Sequence, residues 1–278
     1  MRWNKPSGRL ILLIPACWTL WLTPSFGPSI PLLVTILVGG TCVSGAGCVA
    51  NDLWDREFDK EVERTKNRPL AKGSIKISTA IWIFLCLIFL SLLSILALPI
   101  ESRILCLKLS SIAIIPILVY PSTKRWFAYP QAVLSLCWGF AVLIPWAASE
   151  SSLRGGATLL FIWLATVFWT FGFDTVYAMA DKQYDKKIGL KSSAISLGDN
   201  AKKIVGVCYF IAAIAIAIAA ITAGKQFIFW PPWLISIVGM QREVLKIKRV
   251  NSSEIFIGNH FQNQVKIGGL LLLALVLA

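Results

Sequence analysis

The sequence predicts an all-α fold: a polytopic membrane protein of about nine transmembrane helices in a pseudo-symmetric bundle around a central cavity. Three observations lead there. Long apolar runs follow one another along the 278 residues. Lysine and arginine crowd into alternate connections between those runs, and two acidic clusters each sit at the end of one. Composition agrees, with 56% hydrophobic and only 15% charged residues and a mean hydropathy of +0.71. Soluble domains carry about 25% charged residues.

Runs long enough to span, about 17–25 residues, lie near 10–28, 29–50, 77–98, 103–120, 130–149, 157–178, 204–223, 226–241 and 257–277. The runs are continuous rather than alternating, which excludes a β-barrel. The first and eighth are interrupted by Pro15 and Pro24 and by Pro231 and Pro232. The first run follows a basic start, as a signal peptide does. Trp18, Trp21 and the lack of a small-residue cleavage site favour a retained span. No low-complexity tract or soluble segment interrupts the chain, so a single integral-membrane domain over 1–278 is expected. The seven cysteines are scattered through the apolar runs and form neither a disulfide framework nor a zinc site.

A net charge of +13 would suggest nucleic acid in a soluble protein, but here it follows topology. With nine spans, the N-terminus and the connections 51–76, 121–129, 179–203 and 242–256 share one side and carry 22 of the 27 Lys and Arg residues. The positive-inside rule makes that side cytoplasmic. The expectation is a multi-pass protein of the cell inner (plasma) membrane whose active site faces the cytoplasm. Its partners are the lipid bilayer and small substrates, with no nucleic acid and no obligate protein partner.

The same side holds the chemistry. Asn51, Asp55 and Asp59 are spaced i, i+4, i+8, and Asp174, Asp181 and Asp185 are spaced i, i+7, i+11, so each set would share one helix face. Asp55 and Asp181, like Asp59 and Asp185, are 126 residues apart, which suggests two half-sites of a duplicated bundle. An isolated acid at a membrane boundary is usually a solvated loop charge. Nine of the chain's fourteen acidic residues within two segments are not. Carboxylates crowded on one face need a cation between them, and hard oxygen donors suit Mg²⁺ or Ca²⁺. Bases follow each cluster: Arg64, Lys66, Arg68 and Lys72, then Lys182, Lys186, Lys187 and Lys191. Metal-binding acids beside bases make a polyphosphate site. No Walker loop or kinase motif points to a nucleotide. A diphosphate ester with an apolar tail fits both the acidic rim and the membrane.

The run Gly45-Ala-Gly-Cys-Val-Ala-Asn51-Asp52-Leu-Trp-Asp55-Arg-Glu-Phe-Asp59, with Glu63-Arg64-Thr65-Lys66-Asn67-Arg68-Pro69-Leu70-Ala71 after it, resembles the first motif of the UbiA superfamily of intramembrane prenyltransferases. Asp174-Thr-Val-Tyr177-Ala-Met-Ala-Asp181-Lys-Gln-Tyr-Asp185-Lys-Lys-Ile-Gly189-Leu-Lys191-Ser192 resembles the second. Lys5-Pro6-x-Gly8 and Tyr120-Pro-Ser-Thr-Lys124-Arg125-Trp126 are similar to landmarks of the 4-hydroxybenzoate polyprenyltransferase branch. The likeness covers nearly the whole chain, and the two Asp motifs are specific in combination. Asn4 stands where the family usually has Asp, and Gln262-Asn263-Gln264 is a loose version of its last motif; both bear on substrate choice rather than reaction class.

The resemblance implies transfer of a polyprenyl group from polyprenyl diphosphate to 4-hydroxybenzoate, ortho to the hydroxyl, on the way to ubiquinone or plastoquinone. It implies that Asn51, Asp55, Asp59, Asp181 and Asp185 hold Mg²⁺ on the diphosphate, the four Asp residues being catalytic. Arg64, Arg68, Lys182 and Lys191 would bind diphosphate, and Lys124, Arg125 and Tyr177 would receive the aromatic acid, Arg125 pairing with its carboxylate. Asp174 would stand behind the metal ligands. His260, the single histidine, reads as a polar residue at a helix start rather than a catalyst. Related acceptors such as homogentisate are the nearest alternative. An ion-coupled transporter is the alternative of another class, though it should carry charges deep within spans rather than at helix ends.

Overall fold

The structure is a computed structural model that describes residues 7–25, 27–61, 65–247 and 254–278. Among these residues the regular structure is entirely helical: α1 (Ser7–Leu22), α2 (Ile30–Trp54), α3 (Arg56–Asp59), α4 (Ile77–Leu96), α5 (Ile100–Trp126), α6 (Pro130–Glu150), α7 (Gly156–Ala178), α8 (Lys182–Lys187), α9 (Ser193–Ser196), α10 (Ala201–Thr222), α11 (Trp230–Leu245) and α12 (Glu254–Leu277), plus two 3₁₀ turns. In hydrocarbon every backbone N–H and C=O must be paired within the segment, so apolar runs of this length become helices.

Nine long helices among the described residues overlap the nine apolar runs, but nine membrane crossings do not follow from that. Seven of them are long and apolar enough to cross a membrane; α1 and α11, at 16 residues each, are shorter. The prolines act differently from the sequence expectation. Pro231 and Pro232 open α11 rather than interrupt it, because a proline in the first turn gives up an N–H that has no helical partner anyway. Pro15 lies within α1, and the helix ends at Leu22, ahead of Pro24. The fourth run extends beyond its expected bounds, since α5 continues through Pro116 and Pro121 to Trp126. Most of the expected connection 121–129 is therefore helix, and Lys124 and Arg125 occupy its last turn.

Helix α1 packs against α2, α6, α7 and α12. Its Trp18 indole N–H donates to the Gly268 carbonyl at 3.0 Å, and the ring lies 4.9 Å from that of Trp169. Trp169 in turn donates to Gln264 Oε1 at 2.8 Å. Small residues bring α7 and α10 together: α10 buries Ala212, Ala213, Ala215, Ala219 and Ala220, and a β-carbon on Gly172 would lie 2.5 Å from the Tyr209 ring. A second apolar cluster joins α1, α2, α5 and α6 through Leu20, Ile36, Leu109 and Ala147. By contrast α4 buries only Ala80 and packs on α2, leaving the rest of its surface for lipid.

Connections expected on one side do meet there. The Lys191 N–H donates to the Lys124 carbonyl at 2.7 Å, Ser196 Oγ to the Ala128 carbonyl at 2.7 Å, and Tyr184 Oη to Glu61 Oε2 at 3.4 Å. Segments 51–61, 121–129 and 179–203 thus share one basic end of the bundle.

Candidate active site

The first acidic motif forms where α2 runs out. Asp55 sits at φ −93°, ψ 5°, in the sparsely populated bridge region where helices yield to turns. The Asp55 N–H still donates to the Asn51 carbonyl at 2.9 Å, and the Asp59 N–H to the Asp55 carbonyl at 2.8 Å. The Asn51–Asp55–Asp59 row therefore keeps its helical register across the break. Beyond it, Thr65 Oγ1 donates to the Asp59 carbonyl at 3.2 Å and a turn closes from the Arg68 N–H to the Thr65 carbonyl. That turn folds Arg68 back onto the acids. Its Nη1 lies 2.6 Å from Asp59 Oδ2 and 3.3 Å from Asp52 Oδ1. Asp52 and Asp59 are both buried.

The second motif repeats this local geometry. Helix α7 carries Asp174 and Tyr177, and then its last turn tightens as Met179 and Ala180 N–H groups bond three residues back. Asp181 follows at φ −97°, ψ 0°, at the N-terminal boundary of α8, and the Asp185 N–H donates to the Asp181 carbonyl at 2.8 Å. Asp55–Asp59 and Asp181–Asp185 are thus two copies of one arrangement: an acid in the bridge region, a short helix, and a second acid one turn on. The expected single face through Asp174, Asp181 and Asp185 is split, because this turn separates Asp174 on α7 from the other two. Helix α8 closes with Gly189 at φ +74°. The Leu190 N–H reaches the Asp185 carbonyl at 2.8 Å and the Gly189 N–H the Lys186 carbonyl at 3.4 Å, a Schellman ending that favours glycine.

Packing of the loops brings the halves together. The Ser193 N–H donates to Gln131 Oε1 at 2.8 Å, and Ser193 Oγ meets Thr175 Oγ1 at 2.8 Å. These contacts, all buried, pin the loop after α8 to α6 and α7. Lys124 Nζ stands 3.9 Å from Asp55 Oδ2. Burial pushes the Asp55 carboxyl above its ordinary value; Lys124 opposes this and Asp59 adds to it.

The remaining expected site residues fall as follows. The Arg125 guanidinium lies over the Trp54 and Phe58 rings, 5.8 and 5.5 Å from their centroids. Tyr177 packs against Phe261 at 5.8 Å. Lys182 opens α8 and is partly exposed. Lys191 Nζ donates to the Trp126 carbonyl at 3.1 Å, capping α5. Arg64 lies outside the described residues, as do Asn4, Lys5 and Pro6. One residue was missed as a site member. Asp52 stands within the first motif, yet only the fold shows that it shares Arg68 with Asp59. His260 is a correction: it lies in the second turn of α12 and is 1% exposed, with Nε2 2.8 Å from Tyr209 Oη and Nδ1 3.4 Å from Glu243 Oε2. Helix packing, not a helix start, explains its polarity.

Among the described residues no three His, Cys, Asp or Glu side chains gather into a ready-made metal cage. Arg68 and Lys124 stand beside the acids instead. The donor set nevertheless fits Mg²⁺, which keeps water and takes one or two carboxylates, with substrate phosphates completing its shell. Two half-sites offering a few oxygens each suit a cation that arrives with a diphosphate.

Residues 12–261 match the model of the UbiA prenyltransferase family. The chain is 40% identical over 278 residues to the 4-hydroxybenzoate solanesyltransferase of Synechocystis sp., covering all of this chain and 93% of that protein. It is 38% identical over 250 residues to the 4-hydroxybenzoate octaprenyltransferase of Neisseria gonorrhoeae (strain NCCP11945), covering 89% of this chain and 82% of that one. Among solved structures, an apo UbiA homolog from Aeropyrum pernix K1 superposes with a TM-score of 0.80 at 19% identity over 96% of this chain and 97% of that one. A UbiA homolog from Archaeoglobus fulgidus bound to DMAPP and Mg²⁺ gives 0.70 at 21% identity over 97% and 95%. These likenesses at low identity establish the fold. With the family match over most of its length and relatives near 40% identity, the chain belongs to the UbiA prenyltransferase family.

Proposed function

We propose that this chain transfers a polyprenyl group from polyprenyl diphosphate to 4-hydroxybenzoate, giving 3-polyprenyl-4-hydroxybenzoate and diphosphate for quinone synthesis. The observation that carries the reaction class is the meeting of two equivalent acidic half-sites, linked by Tyr184 and Glu61, beside Arg68 and Lys124. The acceptor rests on the relatives at 38–40% identity that bear 4-hydroxybenzoate in their names.

In the proposed reaction the C–O bond to the diphosphate breaks and its electron pair leaves with the diphosphate. The ring carbon ortho to the hydroxyl bonds to the allylic carbon, and loss of the ring proton restores aromaticity. Mg²⁺, which accompanies DMAPP in the A. fulgidus homolog, would supply Lewis-acid stabilisation of the departing diphosphate. Asn51, Asp55, Asp59, Asp181 and Asp185 would hold it. Arg68 and Lys124 add fixed positive charge where negative charge develops. Lys182, Lys191 and Arg64 are further bases for the diphosphate, and Tyr177 and Arg125 border the acceptor. We place the reaction on the cytoplasmic side of the inner membrane, within one integral-membrane domain spanning 1–278, because of the charge asymmetry of the connections.

The test is an assay of membranes carrying the chain with labelled 4-hydroxybenzoate and prenyl diphosphates of several lengths, with homogentisate as competitor. Prenylated 4-hydroxybenzoate is expected. A preference for homogentisate would overturn the acceptor, and transport without any prenylated product would overturn the reaction.

A further inference from the structure

A second polar region lies away from the acidic motifs, between α11 and α12. A cavity of about 380 Å³ there is lined by Glu243, Lys246, Asn259, Gln262, Asn263 and Lys266, among others. Its floor is settled chemistry: Lys246 Nζ donates to Glu243 Oε1 at 2.5 Å, and Glu243 Oε2 faces buried His260. Its outer wall is not. The inward face of α12 is Ile257, His260, Gln264, Gly268, Leu271 and Leu275, all buried. The outward face begins as Asn259, Gln262 and Lys266 and ends as Leu273, Val276 and Leu277, all exposed. Half of a lipid-facing stripe is therefore polar.

Lys266 makes this stripe unusual. It lies twelve residues along α12 from Glu254, about 18 Å at 1.5 Å per residue, and is exposed on the side that faces the bilayer. Among the described residues it pairs with no carboxylate. An unmatched ammonium at that depth is costly unless it reaches an anion. Its stem leads back towards Lys246 and the amides of Asn259, Gln262 and Asn263, which can all donate hydrogen bonds. A two-fold contact with a second copy through this face would bring another Lys266 to the seam, which disfavours that occupant.

We propose that the α11–α12 groove binds the phosphate head group of an anionic phospholipid. Lys266 meets the phosphate from below, the amides of α12 ring it, and the acyl chains run down over Leu273 and Leu277. Basic recesses between transmembrane helices on the cytoplasmic side are suited to such lipids. This site is separate from the Asp motifs and independent of the proposed reaction.

The experiment is native mass spectrometry of the purified full chain, titrated with phosphatidylglycerol, cardiolipin or phosphatidylcholine. Anionic lipid should be retained over phosphatidylcholine. Lys266→Met should weaken retention about tenfold, the size of one charge-assisted hydrogen bond, while Lys266→Arg keeps it. Lys187→Met, which removes the same charge from the exposed end of α8, should leave it unchanged. If Lys266→Met does not fold, Asn259→Leu with Gln262→Leu gives the same reading. Equal retention of phosphatidylcholine, equal loss in Lys187→Met and Lys266→Met, or displacement of the lipid by inorganic phosphate at low concentration would overturn the proposal. So would a dimer whose dissociation tracks Lys266→Met.

Discussion

Arg68 is the residue on which the first half-site turns. One guanidinium nitrogen serves both Asp59 and Asp52, and all three side chains are mostly buried. Arg68→Ala would leave two buried carboxylates facing each other. Breaking a buried pair from one side costs about 3 kcal/mol, so a clear fall in the thermal midpoint of the purified protein is expected, with Arg68→Lys in between. A midpoint unchanged by Arg68→Ala would show that the pair carries nothing. The Tyr209–His260 contact is a different case, remote from the acids. Tyr209→Phe strands a buried imidazole nitrogen, costing about 1–3 kcal/mol, and should lower stability while prenyl transfer survives.

Among the elements, the two acidic clusters were legible because a four-residue spacing carries its own geometry. Asn51, Asp55 and Asp59 hold that register even though α2 breaks at Asp55. What the spacing could not show was the tightening of α7 after Tyr177, which separates Asp174 from Asp181, because nothing in the local sequence breaks the helix there. Prolines misled in the opposite sense: Pro231 and Pro232 begin a helix, and Pro15 lies within one. The loop after α8 depends on tertiary contacts invisible to periodicity, above all Gln131 accepting from the Ser193 N–H. Gln131→Leu removes that acceptor and orphans a buried N–H, a loss of about 1–3 kcal/mol. Protease should then cut near 188–196 faster than in the wild type; equal rates would show that the loop is held by other contacts.

For the whole molecule, the apolar runs fixed the helices and the lysines fixed which ends belong together, since both follow from the bilayer alone. Long-range pairings did not announce themselves. Lys124 and Asp55 are 69 residues apart in sequence and His260 and Tyr209 are 51, and only packing reveals them. The charge asymmetry makes a further prediction. In a background lacking the seven cysteines, Arg154→Cys should react with an impermeant maleimide from outside intact cells, and Lys187→Cys should react only after the membrane is opened. Labelling of Lys187→Cys from outside would invert the topology.

The central claim is that two acidic half-sites, 126 residues apart in sequence, hold one metal-bound diphosphate. The most direct measurement is formation of prenylated 4-hydroxybenzoate by membranes carrying wild type, Asp55→Ala or Asp181→Ala, with Mg²⁺ present, chelated and restored. Product is expected from wild type only, lost on chelation and recovered with Mg²⁺, while both variants stay folded and inactive. Undiminished product from either variant, or from chelated wild type, would contradict it.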